Sequence, residues 1–192
     1  MAVLIKDFDQ AKQRLAPALG PEARHRLARQ NADLALAAGR AGDHLLAVAG
    51  STEAAELARL AGAEVVLEGR PAGQNAAGRR AVEQAEERGA GAVLLLSSDL
   101  PLVTRRAVRS MILTARRLGS PAVVAAPATG RGGTNALYLA PPGVIPLQFG
   151  TGSLRRYERE AQVRGIAFAL HRSRALALDL DEPMDLDMLQ AV

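Results

Sequence analysis

A chain of 192 residues, 48% of them hydrophobic, can bury one sizeable core, so the sequence predicts a single domain over residues 1–192 rather than a disordered chain. Cysteine is absent, which excludes disulfides and thiolate metal sites and is typical of a cytoplasmic protein. The net charge of +4 favours anionic partners, but the arginines are scattered and aromatic residues make up only 3%, so we expect no nucleic acid partner. No apolar run reaches membrane length, so we expect no membrane partner.

Strands and helices alternate in the first two thirds of the predicted structure. Strands are predicted at Ala2–Ile5, His44–Ala49, Glu64–Leu67, Ala92–Leu96 and Pro121–Ala126. Helices are predicted at Pro21–Gly39, from Ser51 or Thr52 to Ala61, at Gln74–Arg88 and at Thr104–Leu118, with Thr104 as an N-cap. Loops are predicted at Lys6–Leu19 and Gly69–Gly73. The alternation favours an α/β domain with a largely parallel sheet.

The pattern changes after residue 127. A strand at Ala136–Leu139, a helix from Ser153 to Arg164, a strand at Ile166–Leu170, an extended segment at Ala175–Asp181 and a last helix from Pro183 are predicted. The interruption indicates an antiparallel excursion that covers the active edge. We therefore expect three layers around a Rossmann-like, mostly parallel mixed sheet.

Asp99 follows the apolar run Ala92–Leu96, which is typical of a strand buried on both faces. The carboxyl ends of parallel strands are where open α/β sheets bind their ligands, so Asp99 is a candidate site residue. The alternative is that Asp99 only holds a turn.

A second acidic cluster lies at Asp179 and Asp181. Residues two apart in an extended segment face the same way, so both carboxylates are expected on one side, with Leu178 and Leu180 inward. Together with Asp99 they could hold Mg²⁺, which prefers oxygen ligands and substrate phosphates. The alternative is that Asp181 or Glu182 caps the last helix and that Asp179 is only a surface charge.

Cations and glycines suitable for phosphate lie in three other segments. Lys6 and Lys12 are the two lysines of the chain, and both fall in the first loop. Gly-rich segments at Phe149–Ser153 and Gly130–Thr134 could supply backbone N–H groups to an anion, or could be ordinary turns. No Walker A motif and no Gly-x-Gly-x-x-Gly after the first strand is present.

Six motifs in order resemble those of 2-phospho-L-lactate guanylyltransferases, which make the phospholactyl or phosphoenolpyruvyl guanosine diphosphate used to build coenzyme F420. They are Lys6 with the run Ala11–Pro17, Gly73–Ala76, Ser98–Leu102, Gly133–Leu137, Phe149–Gly150 with Ser153, and Asp179–Pro183. Departures occur at Ile5, Gln13, Gln74 and Ser98, and none of them removes a charged ligand. The resemblance implies the nucleotidyltransferase fold of the nucleotide-diphospho-sugar transferase type.

The resemblance also implies roles for individual residues. Mg²⁺ would lie on Asp99, Asp179 and Asp181, and GTP phosphates on Lys6, Lys12 and Arg14, with Asp99 and Lys12 as the catalytic pair. Asn75 would help to read guanine, and Thr134, Gly150 and Ser153 would bind the phosphorylated acid. The acid phosphate would attack the α-phosphorus of GTP and release pyrophosphate.

Some alternatives stay open in the sequence. The acid can be 2-phospholactate, phosphoenolpyruvate or 3-phosphoglycerate, because a few pocket side chains decide between them. The alternative functions are a molybdenum-cofactor guanylyltransferase, a sugar-phosphate cytidylyltransferase and a non-catalytic nucleotide-binding protein. The two transferases usually carry a Gly-rich loop just after the first strand, whereas the first glycine of this chain is Gly20. A homodimer is among the oligomeric states left open.

Overall fold

The computed structural model describes residues 1–69, 72–130 and 132–190. The strands are β1 (Ala2–Ile5), β2 (Leu46–Ala49), β3 (Glu64–Leu67), β4 (Val93–Ser97), β5 (Ala122–Pro127), β6 (Thr134–Ala140) and β7 (Ala167–Leu170). The helices are α1 (Pro21–Gly39), α2 (Thr52–Leu60), α3 (Gln74–Glu87), α4 (Arg105–Leu118), α5 (Ser153–Val163), α6 (Arg174–Ala177) and α7 (Pro183–Gln190). Within these ranges, no helix is long and apolar enough to cross a membrane.

One seven-stranded sheet carries the domain, in the order β3-β2-β1-β4-β6-β5-β7. β1 pairs in parallel with β2 and β4, β2 with β3, and β5 with β7. β6 runs antiparallel between β4 and β5. The start of β6 therefore lies at the same sheet edge as the carboxyl end of β4.

Two apolar cores cover the two faces of the sheet, because successive strand residues point to opposite sides. Val3 and Ile5 join one core with residues of α1, α2 and α4. Ala2 and Leu4 join the other, with residues of α3 and with Tyr157 of α5. The predicted three-layer α/β arrangement is thereby confirmed.

Most predicted elements lie within two residues of the observed ones. Ser51 accepts a hydrogen bond from the backbone N–H of Ala54 at 3.3 Å, so it caps α2. Thr104 accepts one from Ala107 at 3.2 Å, which confirms it as the N-cap of α4. The predicted loop Gly69–Gly73 includes Arg70 and Pro71, and the predicted Gly130–Thr134 segment includes Arg131; these three lie outside the described residues.

β6 begins at Thr134, two residues before its predicted start, because β5 continues to Pro127 and pairs with Thr134 across a bulge. The prediction was wrong for the segment after β7. The segment predicted as extended from Ala175 begins with a helical turn, α6, which buries Leu176 completely. The side chain of Asn135 donates to the carbonyl oxygens of Leu176 and Ala177 at 3.0 and 3.1 Å and so fixes this turn.

The close approach of β2 to the first loop depends on Gly50. A Cβ at this position would lie 2.8 Å from the backbone nitrogen of Asp7, closer than real Cβ contacts allow. We expect Gly50→Ala to lower the free energy of unfolding by about 1–3 kcal/mol, as overpacking does. Urea unfolding measures this, with Gly91→Ala as the control, because a Cβ at Gly91 meets nothing within 4 Å. Equal stability of the two variants would contradict this contact.

Candidate active site

A buried ion pair joins Asp99 to Lys12. Lys12 Nζ lies 2.8 Å from Asp99 Oδ1, and the Lys12 and Asp99 side chains are 1% and 11% exposed. Lys12 has φ of 59°, in the left-handed region that non-glycine residues rarely adopt, immediately before a 3-10 turn at Gln13–Leu15. This conformation belongs to the loop that brings the ammonium group to Asp99.

Lys6 contacts the second oxygen of the same carboxylate. Its Nζ donates to Asp99 Oδ2 at 3.1 Å, while its own side chain stays 56% exposed. Burial raises the pKa of Asp99, but Lys12 and Lys6 outweigh burial and hold that pKa well below its usual range. Asp99 in turn raises the pKa of Lys6, so both groups are charged at neutral pH.

Leu180 connects this ion pair to the C-terminal acidic segment. Lys12 Nζ donates to the Leu180 carbonyl oxygen at 2.7 Å, and the Leu180 N–H donates to the Asp99 carbonyl oxygen at 3.2 Å. The prediction that Asp99 lies beside the segment Asp179–Asp181 is confirmed by these bonds. Leu178 and Leu180 are buried, as expected from the alternation.

Charged and polar groups from six segments line one cavity of about 210 Å³, which we call the carboxylate cavity. The predicted site residues among its lining are Lys6, Arg14, Asp99, Thr134, Gly150, Asp179 and Asp181. Arg14 Nη1 lies 3.6 Å from Asp181 Oδ2 and 3.9 Å from Glu182 Oε1, on the exposed side. The prediction that Asp179 and Asp181 face the same way is consistent with this shared lining.

Asp185 fixes the segment that carries Asp181, a function that the sequence did not reveal. Its Oδ2 accepts the backbone N–H groups of Asp181 and Glu182 at 2.8 and 2.7 Å. The last helix therefore caps the acidic segment, whereas the alternative considered above had Asp181 or Glu182 capping the helix. An acid at the third position of a helix that begins with Pro183 can reach back to preceding backbone N–H groups, and this position is the signal that could have indicated the contact.

Ser153 and Thr134 form a hydroxyl pair at the start of α5 and β6. Ser153 Oγ donates to Thr134 Oγ1 at 3.0 Å, and Ser153 is fully buried. Thr134 lines the carboxylate cavity, whereas Ser153 positions it from behind. Gly150, with φ of 116°, lies on the cavity wall in a conformation that favours glycine.

Asn75 is hydrogen-bonded to the backbone next to this wall. Its Nδ2 donates to the Phe149 carbonyl oxygen at 3.3 Å, and its Oδ1 accepts the Phe149 N–H at 2.7 Å. The nitrogen and the oxygen of the Asn75 amide thus hold the Phe149–Gly150 segment against α3. The guanine-reading role implied for Asn75 stays a prediction, and its neighbour Gln74 lines the cavity instead.

Within the described ranges, no three His, Cys, Asp or Glu side chains are grouped closely enough to hold a metal ion by themselves. The three predicted ligands nevertheless share one cavity and offer oxygen atoms. That donor set fits Mg²⁺, which is commonly bound by one or two carboxylates together with substrate phosphates. A metal that arrives with a nucleotide therefore fits these residues better than a preformed metal centre does.

Residues 1–190 match the protein family described as "Guanylyl transferase CofC like". The chain belongs to this family. The resemblance found in the sequence is thereby confirmed, and the enzyme class is nucleotidyltransferase.

Curated relatives within this family carry three acceptor names. A phosphoenolpyruvate guanylyltransferase of Rubrobacter xylanophilus is 37% identical, and the match covers 98% of this chain and 92% of the relative. A 2-phospho-L-lactate guanylyltransferase of Methanothermobacter thermautotrophicus is 32% identical, and the match covers 95% of this chain and 79% of the relative. A 3-phospho-D-glycerate guanylyltransferase of Phenylobacterium zucineum is 40% identical, and the match covers 67% of this chain and 58% of the relative.

Among solved structures, a putative nucleotide-diphospho-sugar transferase from Desulfovibrio desulfuricans G20 is similar. It has a TM-score of 0.75 and 16% identity, and the match covers 98% of this chain and 84% of that one. This likeness confirms the predicted fold type.

We expect Asp99→Asn to lower the free energy of unfolding by about 3 kcal/mol, because it leaves the Lys12 ammonium buried without its counter-charge. Since the folded pKa of Asp99 is lowered, its contribution to stability is present above the ordinary aspartate pKa. It is lost only as the pH falls through the lowered folded value. Urea unfolding at pH 7 measures the difference.

The matched control is Asp181→Asn, whose side chain is 31% exposed. It makes the same chemical change on the same cavity, and we expect it to change stability by less than about 1 kcal/mol. Equal losses in both variants would show that the buried pair with Lys12 does not decide the stability.

Proposed function

We propose that the protein transfers GMP from GTP to the phosphate of a small phosphorylated acid, 2-phospholactate or phosphoenolpyruvate, and releases pyrophosphate. The observation that carries the proposal is the convergence of Lys6, Arg14 and three carboxylates with Thr134 on one cavity in a chain of the guanylyl transferase family. Coenzyme F420 assembly is the proposed use of the product. A cytoplasmic location and a homodimer stay predictions.

Lys6 and Arg14 are the proposed ligands of the GTP phosphates. Both line the cavity with exposed side chains, so phosphate oxygens can reach them. Lys12 is buried and bonded to Asp99 and Leu180, which supports a role in holding Asp99 more than a direct phosphate contact. When phosphates bind, Lys6 can exchange its contact with Asp99 for them.

The acid is proposed to bind at Thr134 and Gly150, and the fully buried Ser153 is proposed to act on it through its hydrogen bond to Thr134. The Thr134 hydroxyl oxygen accepts a hydrogen bond from Ser153, which leaves the Thr134 hydroxyl hydrogen to donate to a phosphate or carboxylate oxygen. This wall lies at the start of β6, whereas Arg14 belongs to the first loop. The acid and the nucleotide therefore approach the carboxylates from different elements.

Asp99, Asp179 and Asp181 are the proposed holders of Mg²⁺, whose charge would stabilise the negative charge that develops on the phosphate oxygens. The residues supply positioning and further positive charge. The acceptor phosphate is mostly dianionic at pH 7, because its second pKa is near 6, so it needs no general base. Its oxygen forms a bond to the α-phosphorus of GTP, the bond from that phosphorus to the bridging oxygen breaks, and pyrophosphate leaves with the electron pair.

The direct test incubates the purified protein with GTP, Mg²⁺ and each of phosphoenolpyruvate, 2-phospholactate and 3-phosphoglycerate. Released pyrophosphate and the mass of the diphosphate-linked product are measured. We expect product with at least one acid and its loss in Asp181→Asn, while Asp187→Asn on the exposed face of α7 keeps it. A protein that yields product with none of the three acids would contradict the proposal.

We expect Thr134→Val to raise the KM for the acid by roughly 10- to 100-fold, since one hydrogen bond to a charged ligand is lost. The dissociation constant for GTP should stay within about twofold, because the proposed phosphate ligands Lys6 and Arg14 belong to the first loop and not to β6. Steady-state kinetics and calorimetry measure the two quantities, with Thr114→Val on α4 as the control. Equal weakening of acid and GTP would place Thr134 outside the acid site.

A further inference from the structure

A second cavity adjoins the carboxylate cavity. It has a volume of about 180 Å³, and we call it the apolar cavity. Leu4, Ile5 and Ala77 give it apolar walls, and Gln10 and Glu68 are among its polar groups. It shares Lys6, Gln74 and Ser97 with the carboxylate cavity. A ligand with phosphates beside Lys6 can therefore extend into it.

Glu68 is a buried acid in the wall of the apolar cavity. The residue is 9% exposed, and its Oε1 has no hydrogen-bond partner among the described residues. Its backbone N–H donates to the Ala49 carbonyl oxygen at 2.9 Å, which holds it directly after β3. A buried carboxylate oxygen without a donor costs free energy, so such a group indicates a ligand that supplies donors.

The surroundings of Glu68 do not satisfy it. Burial raises the pKa of its carboxyl group, and the exposed Arg80 lowers it less. Asp7 is the other acid of this cavity, and its Oδ1 accepts the Asp9 N–H at 3.1 Å. Of these two acids, Glu68 is the one with a buried oxygen that has no partner among the described residues.

We propose that Glu68 selects the base of the nucleotide by accepting the N1–H and the 2-amino hydrogens of guanine in the apolar cavity. This inference rests on the proposed function, which supplies the guanine nucleotide. The two donors lie side by side on one edge of guanine, and a carboxylate offers two acceptors at matching spacing. Adenine has no donor at N1 and would leave Glu68 unsatisfied, which a polar site discriminates strongly.

A single substitution separates this role from a structural one. Glu68→Gln keeps the shape but replaces one acceptor with an N–H donor. Xanthine carries a carbonyl oxygen where guanine carries the 2-amino group, so it matches the glutamine and mismatches the glutamate. A ribose contact or a folding defect would weaken GTP and XTP equally.

The experiment measures kcat/KM for GTP and XTP with the accepted acid, and dissociation constants for both nucleotides by calorimetry without acid. We expect the wild type to favour GTP, and Glu68→Gln to shift the XTP-to-GTP ratio toward XTP by about 100-fold or more. Melting temperatures check folding. The matched variants are Asp7→Asn in the same cavity and Glu64→Gln at the far end of β3, and neither should shift the ratio.

An unchanged ratio in Glu68→Gln, a wild type that binds GTP and XTP equally, or a shift in Asp7→Asn instead would overturn the inference. The calorimetry needs no acceptor, so it tests Glu68 even if no acid yields product. Transfer of GMP with an unchanged ratio would overturn the role of Glu68 alone. Nucleotide selection without transfer to any acid would contradict the proposed function alone.

Discussion

The contact between Lys12 and Asp99 decides the shape of the site. One ammonium group, buried in the left-handed bend of the first loop, binds a carboxylate after β4 and the carbonyl oxygen of Leu180. Three segments that are far apart in sequence therefore meet at one point. The burial of both charges makes each dependent on the other, because an uncompensated charge in this environment is costly.

The alternation of strands and helices, both N-caps and the central position of Asp99 could be predicted from the sequence. Those features follow from local periodicity and short-range hydrogen bonds. The convergence of Asp99 with the acidic pair could be predicted because all three acids flank buried apolar segments. The glycine pattern indicated the segments Gly130–Thr134 and Phe149–Ser153, and the resemblance to a family assigned them to the acid.

The remaining features depend on contacts between distant segments. Lys12 and Lys6 are the same residue type in the same predicted loop, yet the Lys12 side chain is buried and the Lys6 side chain is exposed. The side-chain amides of Asn75 and Asn135 both form hydrogen bonds with backbone groups that are distant in sequence. Glu68 follows a strand whose residues are partly buried or exposed, so nothing in its local sequence indicates an unsatisfied acid.

The reversed direction of β6 has a consequence for how such a site can change over time. The proposed nucleotide ligand Lys6 and the carboxylate of Asp99 follow the carboxyl ends of β1 and β4, whereas Thr134 begins β6 at the same edge. The turn before Thr134 can be lengthened or reshaped without moving any strand that carries a cation or an acid. Recruitment of a different acid would then leave the proposed nucleotide-binding residues unchanged. The differing acceptor names of the relatives are compatible with such a change.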